Sequence, residues 1–139
     1  MQRWPNICDT DPEPQEIAMI GYITLGTRDP AKAQAFYDAL LGTLGAGRIM
    51  EQDSFVLWGK SMDEPCLAST LPHDGQDASF GNGTMVALRM GSTEEVDALY
   101  AKAIELGAAD EGPAGPRGEG FYAGYFRDPD GNKLCAFYA

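Results

Sequence analysis

One order of elements occurs twice along the chain, and nothing else in the sequence constrains the fold as strongly. Residues 19–71 read as strand, helix and three short strands, and residues 83–138 read the same way. In the first stretch Ile20, Tyr22 and Thr24 alternate with Gly21, Ile23 and Leu25, the period of two expected of a strand. Asp29-Pro30 then opens a helix, with Asp as N-cap and Pro at the first helical position, where a missing N–H costs nothing. Phe36, Leu40 and Leu44, widened by Tyr37 and Leu41, give that helix one apolar face, which Gly45 and Gly47 end. Strands are expected over 48–51, 54–59 and 65–70.

The second stretch opens with a strand over 84–90. Ser92 and Glu95 then stand in capping-box spacing, and Val96, Leu99, Tyr100, Ala103 and Leu106 form a helical face that stops at Gly107. A short strand near Ala109, a Gly/Pro loop from Glu111 to Gly120, and a hairpin about Asp128-Pro129-Asp130-Gly131 complete it. One helix cannot cover the sheet of a βαβββ module, so two modules gain by pairing. The expected class is therefore α+β, two paired βαβββ modules with helices outside and a small binding cavity between curved sheets.

Composition narrows the function. Twenty-one acidic against ten basic residues give a net charge of −11, and the bases are not gathered in sequence, so a nucleic-acid partner is not expected. No apolar run is long enough to span a membrane, and residues 1–18, proline-rich and acidic, read as an N-terminal extension with no secretory core. A cytoplasmic setting is the expectation. Cys8, Cys66 and Cys135 are widely spaced and odd in number, which suits reduced thiols. The single histidine, His73, sits among turn formers and reads as solvated, so no site with two or more His ligands can form within one chain. P-loop, GxSxG and dinucleotide fingerprints are absent, and Asp128-x-Asp130-Gly131 reads as a hairpin turn rather than a calcium loop.

Three segments in this order, IGYITLGTRDPAKAQAFYDALL, GNGTMVALRM and GFYAGYFRDPDGNKL, resemble the vicinal oxygen chelate superfamily of glyoxalase, bleomycin resistance and extradiol dioxygenase proteins, over residues 19–138. The resemblance implies paired βαβββ modules around a cavity, a homodimer, and, in the family's enzymes, a divalent metal held by four strands as His or Gln, Glu, His and Glu. Carried over by motif, those places fall on Tyr22, a residue at or beside Ala68, Met85 and Cys135. A neutral phenol, a methyl group, a thioether and a lone thiol do not suit a divalent ion. No metal and no other cofactor is therefore expected, and a fold without its metal reads first as a binder.

Alternation points Tyr22 and Thr24 toward the cavity on one strand and Met85, Ala87 and Arg89 on the other. For the closing hairpin, setting Asp128 opposite Gly131 places Tyr122, Phe126, Cys135 and Phe137 on one face, a set that a single bulge would invert. Arg117, among glycines and prolines, is either a solvated charge or a partner for a ligand carboxylate or phosphate. Trp58 is either an aromatic wall or part of the core, and Tyr22 either a buried phenol or a proton donor. Met85 reads as a flexible packing residue and Cys135 as an inert buried thiol. With Lys133, Arg89 and Arg117 can make the interior locally positive. The expected ligand-binding set is thus Tyr22, Trp58, Met85, Arg89, Arg117, Tyr122, Phe126, Cys135 and Phe137.

These readings favour a metal-free, homodimeric binder of a small molecule, with no membrane or nucleic-acid partner. The rival is a glyoxalase-like lyase or isomerase, metal-independent through Tyr22, Tyr122 or Arg117, or using an unusual metal site. An interaction module whose cavity is filled by its own Met85 and Phe137 is the third.

Overall fold

The computed structural model describes residues 17–139, so the expected N-terminal extension lies almost wholly outside the described residues. In chain order the elements are β1 (Tyr22–Gly26), α1 (Pro30–Gly42), β2 (Gly47–Gln52), β3 (Phe55–Gly59), β4 (Cys66–Thr70), β5 (Val86–Arg89), α2 (Thr93–Glu105), β6 (Ala109–Pro116), β7 (Tyr122–Arg127) and β8 (Lys133–Tyr138). They make two four-stranded mixed sheets, ordered β1-β4-β3-β2 and β5-β8-β7-β6. In each sheet the first strand runs parallel to the fourth and the others are antiparallel, so the predicted duplication is realised strand for strand.

Local chemistry sets the helix ends. The Asp29 carboxylate accepts the Lys32 N–H at 3.2 Å, and Ser92 Oγ accepts the Glu95 N–H at the same distance. α1 stops before the expected glycine because Thr43 caps it, donating its hydroxyl to Leu40 O at 2.6 Å. Gly45, at φ 81°, then turns the chain so that the Ala46 N–H reaches Leu41 O. α1 buries Ala33, Phe36, Tyr37, Leu40 and Leu41, and α2 buries Val96, Leu99 and Ala103. Both faces enter one shared core with Val56, Trp58 and Leu67 of the first sheet and Val86, Phe126 and Leu134 of the second.

Two expectations are corrected. The Gly/Pro stretch after Ala109 is not a loop: strand pairing continues to Pro116. β6 is an edge strand, so the absent N–H groups of Pro113 and Pro116 can face away from β7, and Gly112, at φ 149°, takes up a register shift. The second correction concerns the closing hairpin, where Asp128 N–H donates to Asn132 O, not to a partner at Gly131, and Arg127 pairs with Lys133. That one-residue difference puts Tyr125 opposite Cys135 and Phe126 opposite Leu134. Tyr122 and Phe126 therefore face α2, while Cys135 and Phe137 lie on the opposite, open face.

The same turn joins the modules. Asp128 Oδ1 accepts the N–H groups of Asp130 and Asn132, both at 2.9 Å. Its Oδ2 accepts the buried Tyr37 hydroxyl of α1 at 2.6 Å and Asn132 Nδ2 at 2.9 Å. Asn132 Nδ2 also donates to Gly26 O of β1, and Arg28 N–H donates to Asp130 Oδ1. Burial first, and the Asp128 charge second, push the Tyr37 phenol well above its usual range, so it stays a donor. The turn that the sequence presents as a hairpin device is also the clasp between halves.

Candidate functional site: the groove between the modules

No strand of one sheet pairs with the other, and β1 and β5 each keep a free edge. Between them, among the described residues, opens a groove of about 420 Å³. Its apolar walls are Ile23, Leu41 and Leu44 from the first module and Val86, Leu88 and Met90 from the second. Four charged side chains, Lys60, Glu64, Arg89 and Glu95, stand around it. Such a mixture suits a small organic ligand, with apolar contact for affinity and a few polar groups for orientation. A second depression, of about 430 Å³ and over α2, continues from it through Thr43, Leu44 and Glu95.

Of the nine expected ligand residues, the groove brings together two, Trp58 and Arg89. Trp58 is 1% exposed and turned toward the core, its Nε1 donating to Asp38 Oδ1 at 2.8 Å. It backs the groove from within the core. Asp38 also holds Arg48 through two bonds, 2.9 and 2.8 Å, and those bonds draw its carboxyl below the usual range.

Tyr22 does not have the buried phenol that was one of its two readings: it is 54% exposed, level with Cys66 in the register and edge-on to Phe55 at 6.4 Å. Met85, just ahead of β5, is 42% exposed and packs less than a filler residue would.

Tyr122 and Phe126 leave the expected set. The Tyr122 hydroxyl donates to Asp97 of α2 at 2.6 Å, a bond that raises its pKa and keeps its proton on the helix side. Phe126 is fully buried in the core. Cys135 and Phe137 remain on the open face of the second sheet, with Cys135 buried and its thiol pushed up by that burial. Arg117 is not free in solvent: it donates to the carbonyls of Pro113 and Pro116 and lies 5.5 Å from the Tyr125 ring centroid. Sequence reasoning missed the groove residues Leu44, Lys60, Glu64, Met90 and Glu95, which come from turns and helix ends and, apart from the capping-box Glu95, carry no motif. It also missed Tyr125, which the correct hairpin register would have placed beside Cys135.

The four positions onto which the resemblance carries the family's metal ligands do not fit a divalent cation. Met85 offers a thioether, Tyr22 a phenol, Ala68 nothing, and Cys135 a thiol that burial holds in its protonated form. Cys66, two residues before Ala68 on the same strand, is likewise buried and donates its S–H to Glu64 O at 3.2 Å. Among the described residues, no three of His, Cys, Asp and Glu cluster closely enough to hold a metal. None of the described helices is long and apolar enough to cross a membrane.

Comparison with known proteins agrees with this architecture. No curated protein matches the chain. A crystal structure of a glyoxalase/bleomycin resistance protein from Albidiferax ferrireducens is 37% identical, with a TM-score of 0.80 over 88% of this chain and 99% of that one. A glyoxalase-related enzyme from Fulvimarina pelagi shares the fold at 22% identity, TM-score 0.71, over 88% of this chain and 89% of that one. So does a putative glyoxalase from Bacillus halodurans, at 20% identity and TM-score 0.70, over 87% and 96%. The family model for the Glyoxalase/Bleomycin resistance protein/Dioxygenase superfamily matches residues 19–136, and with the duplicated sheets it places the chain in that superfamily.

Proposed function

We propose that the chain binds a small organic molecule in the groove between its two modules, without a divalent metal, and so sequesters the compound rather than transforming it by Lewis-acid chemistry. The observation that carries the reading is the groove itself: about 420 Å³, apolar along its walls, with Arg89 and Lys60 set against Glu64 and Glu95. That volume lies in the range of ligand pockets. The unfit donor set supports the metal-free part, because polarising a carbonyl or enediolate oxygen needs an ion that these residues are poor at holding. A homodimer belongs to the same proposal. The free edges of β1 and β5, with Tyr22 and Met85 exposed beside them, are surfaces a second copy would cover.

A titration followed by Trp fluorescence tests it, since Trp58 backs the groove. A small-molecule library should contain compounds that change the emission saturably, and Leu88→Trp, which fills the groove, should abolish their binding as read by calorimetry while leaving the fold intact by circular dichroism. Binding unaffected by Leu88→Trp would refute the placement. Turnover of a thiohemiacetal lost on chelation would refute the metal-free reading, and light scattering settles the dimer.

A further inference from the structure

The open face of the second sheet carries a pattern that the groove alone does not explain. Arg89 lies over the Phe137 ring at 5.0 Å, and Phe137 stacks on Phe121 at 5.6 Å and 21°. On the same face Lys133 and Arg117 each lie 5.5 Å from the Tyr125 ring. Between the two ring–cation groups, Ala87 and Cys135 sit side by side in register, and Ala87 is exposed.

Of the nine described cations, Arg28, Arg48, Lys102 and Arg127 meet carboxylates, while Lys32 and Lys60 meet neither a carboxylate nor a ring among the described residues. Arg89, Lys133 and Arg117 make no ion pair among the described residues, and rest on aromatic rings instead. A fourth cation of this face, Arg127, is already met by Glu111 at 3.3 Å. Three cations held on rings are desolvated on one side and have donors left for an anion.

We propose that this face recognises a planar aromatic anion, with an aromatic carboxylate as the chemistry it fits. The ligand ring lies across Ala87 between Phe137 and Tyr125, its acid group is reached by Arg89, and Lys133 at the other end of the face adds to the attraction for an anion. Arg89 also lines the groove, so the inference rests on the binding function proposed above and names the class of ligand for it.

The test uses the purified full chain and three probes in calorimetric titrations: 2-naphthoate, its neutral isostere 2-naphthamide, and cyclohexanecarboxylate. Naphthoate should bind at least about tenfold more tightly than naphthamide, the return expected from a charge-assisted contact. It should also exceed cyclohexanecarboxylate, and its affinity should fall as salt is raised. The double variant R89Q/K133Q should lose the preference for naphthoate over naphthamide, with the fold intact by circular dichroism. Phe137→Leu should weaken both aromatic probes.

Equal binding of naphthoate and naphthamide would overturn the inference, as would a preference that survives R89Q/K133Q or an equally tight cyclohexanecarboxylate. In those cases only the ligand class falls, and the groove reading is decided by the library titration with Leu88→Trp. If no probe binds, the ligand class falls, and the library titration decides the groove separately.

Discussion

Replacing Tyr37 by Phe removes one oxygen from the clasp between the modules and nothing else. The lost bond is the 2.6 Å donation to Asp128 Oδ2, between two buried side chains. Asp128 keeps Asn132 Nδ2 on that oxygen and two backbone N–H groups on the other, so it loses one of its four hydrogen bonds. A hydrogen bond to a buried charge contributes about 2 kcal/mol, against roughly half that for a neutral pair. For a chain of this size that corresponds to a fall in Tm of roughly 6–10 °C. Urea unfolding followed by Trp fluorescence should show a lower midpoint with an unchanged slope. Tyr100→Phe is the control: its hydroxyl meets Asp110 at 2.7 Å in an exposed place, and its loss should shift the midpoint markedly less. Equal, small shifts for the two variants would refute the claim that the Asp128 turn holds the halves together.

Other expectations follow from packing and charge. Gly59→Ala would place a methyl group 2.5 Å from Cys66 Sγ and 2.9 Å from Ile49 Cδ1. Thermal melts should show a loss of about 1–3 kcal/mol, largely recovered by adding Cys66→Ala. Asp38 has its carboxyl lowered chiefly by Arg48, so it stabilises the fold fully above about pH 4 and loses that contribution as acid protonates it. Asp38→Asn should therefore flatten the acid limb of a stability–pH curve, and an unchanged limb would contradict the pairing. In a Cys8→Ser background, Cys66 and Cys135, both raised by burial, should react with a disulfide reagent at pH 8 far more slowly than in urea.

Much of the fold is legible in the sequence because it rests on local signals. Asp29-Pro30 and the Ser92/Glu95 spacing mark both helix starts, and alternation at Tyr22–Leu25 marks the first strand. What fails is what local signals do not carry. The hairpin register depends on Asp128 N–H reaching Asn132 O, a choice fixed partly by Tyr37, which is 91 residues away. That single step moved Tyr122 and Phe126 from the open face to the core. The strand character of residues 111–116 depends on pairing with β7 along an edge, which overrides the Gly/Pro composition. Residues of the groove come from six separate elements and their flanking turns, so of its lining the sequence pointed only to Ala87 and Arg89, by strand alternation, and to Trp58 as an aromatic wall or core residue. Arg117 was noticed for its loop, yet its position over Tyr125 needed the bulge at Gly112.

Metal content per chain, measured by mass spectrometry on protein purified without chelator and dialysed against buffer containing zinc, nickel or manganese, tests the central claim most directly. Substoichiometric metal, unchanged by Tyr22→Phe and Cys135→Ala, is expected, alongside undiminished ligand binding after chelation. One tightly held divalent ion per chain, lost in those variants, would contradict it.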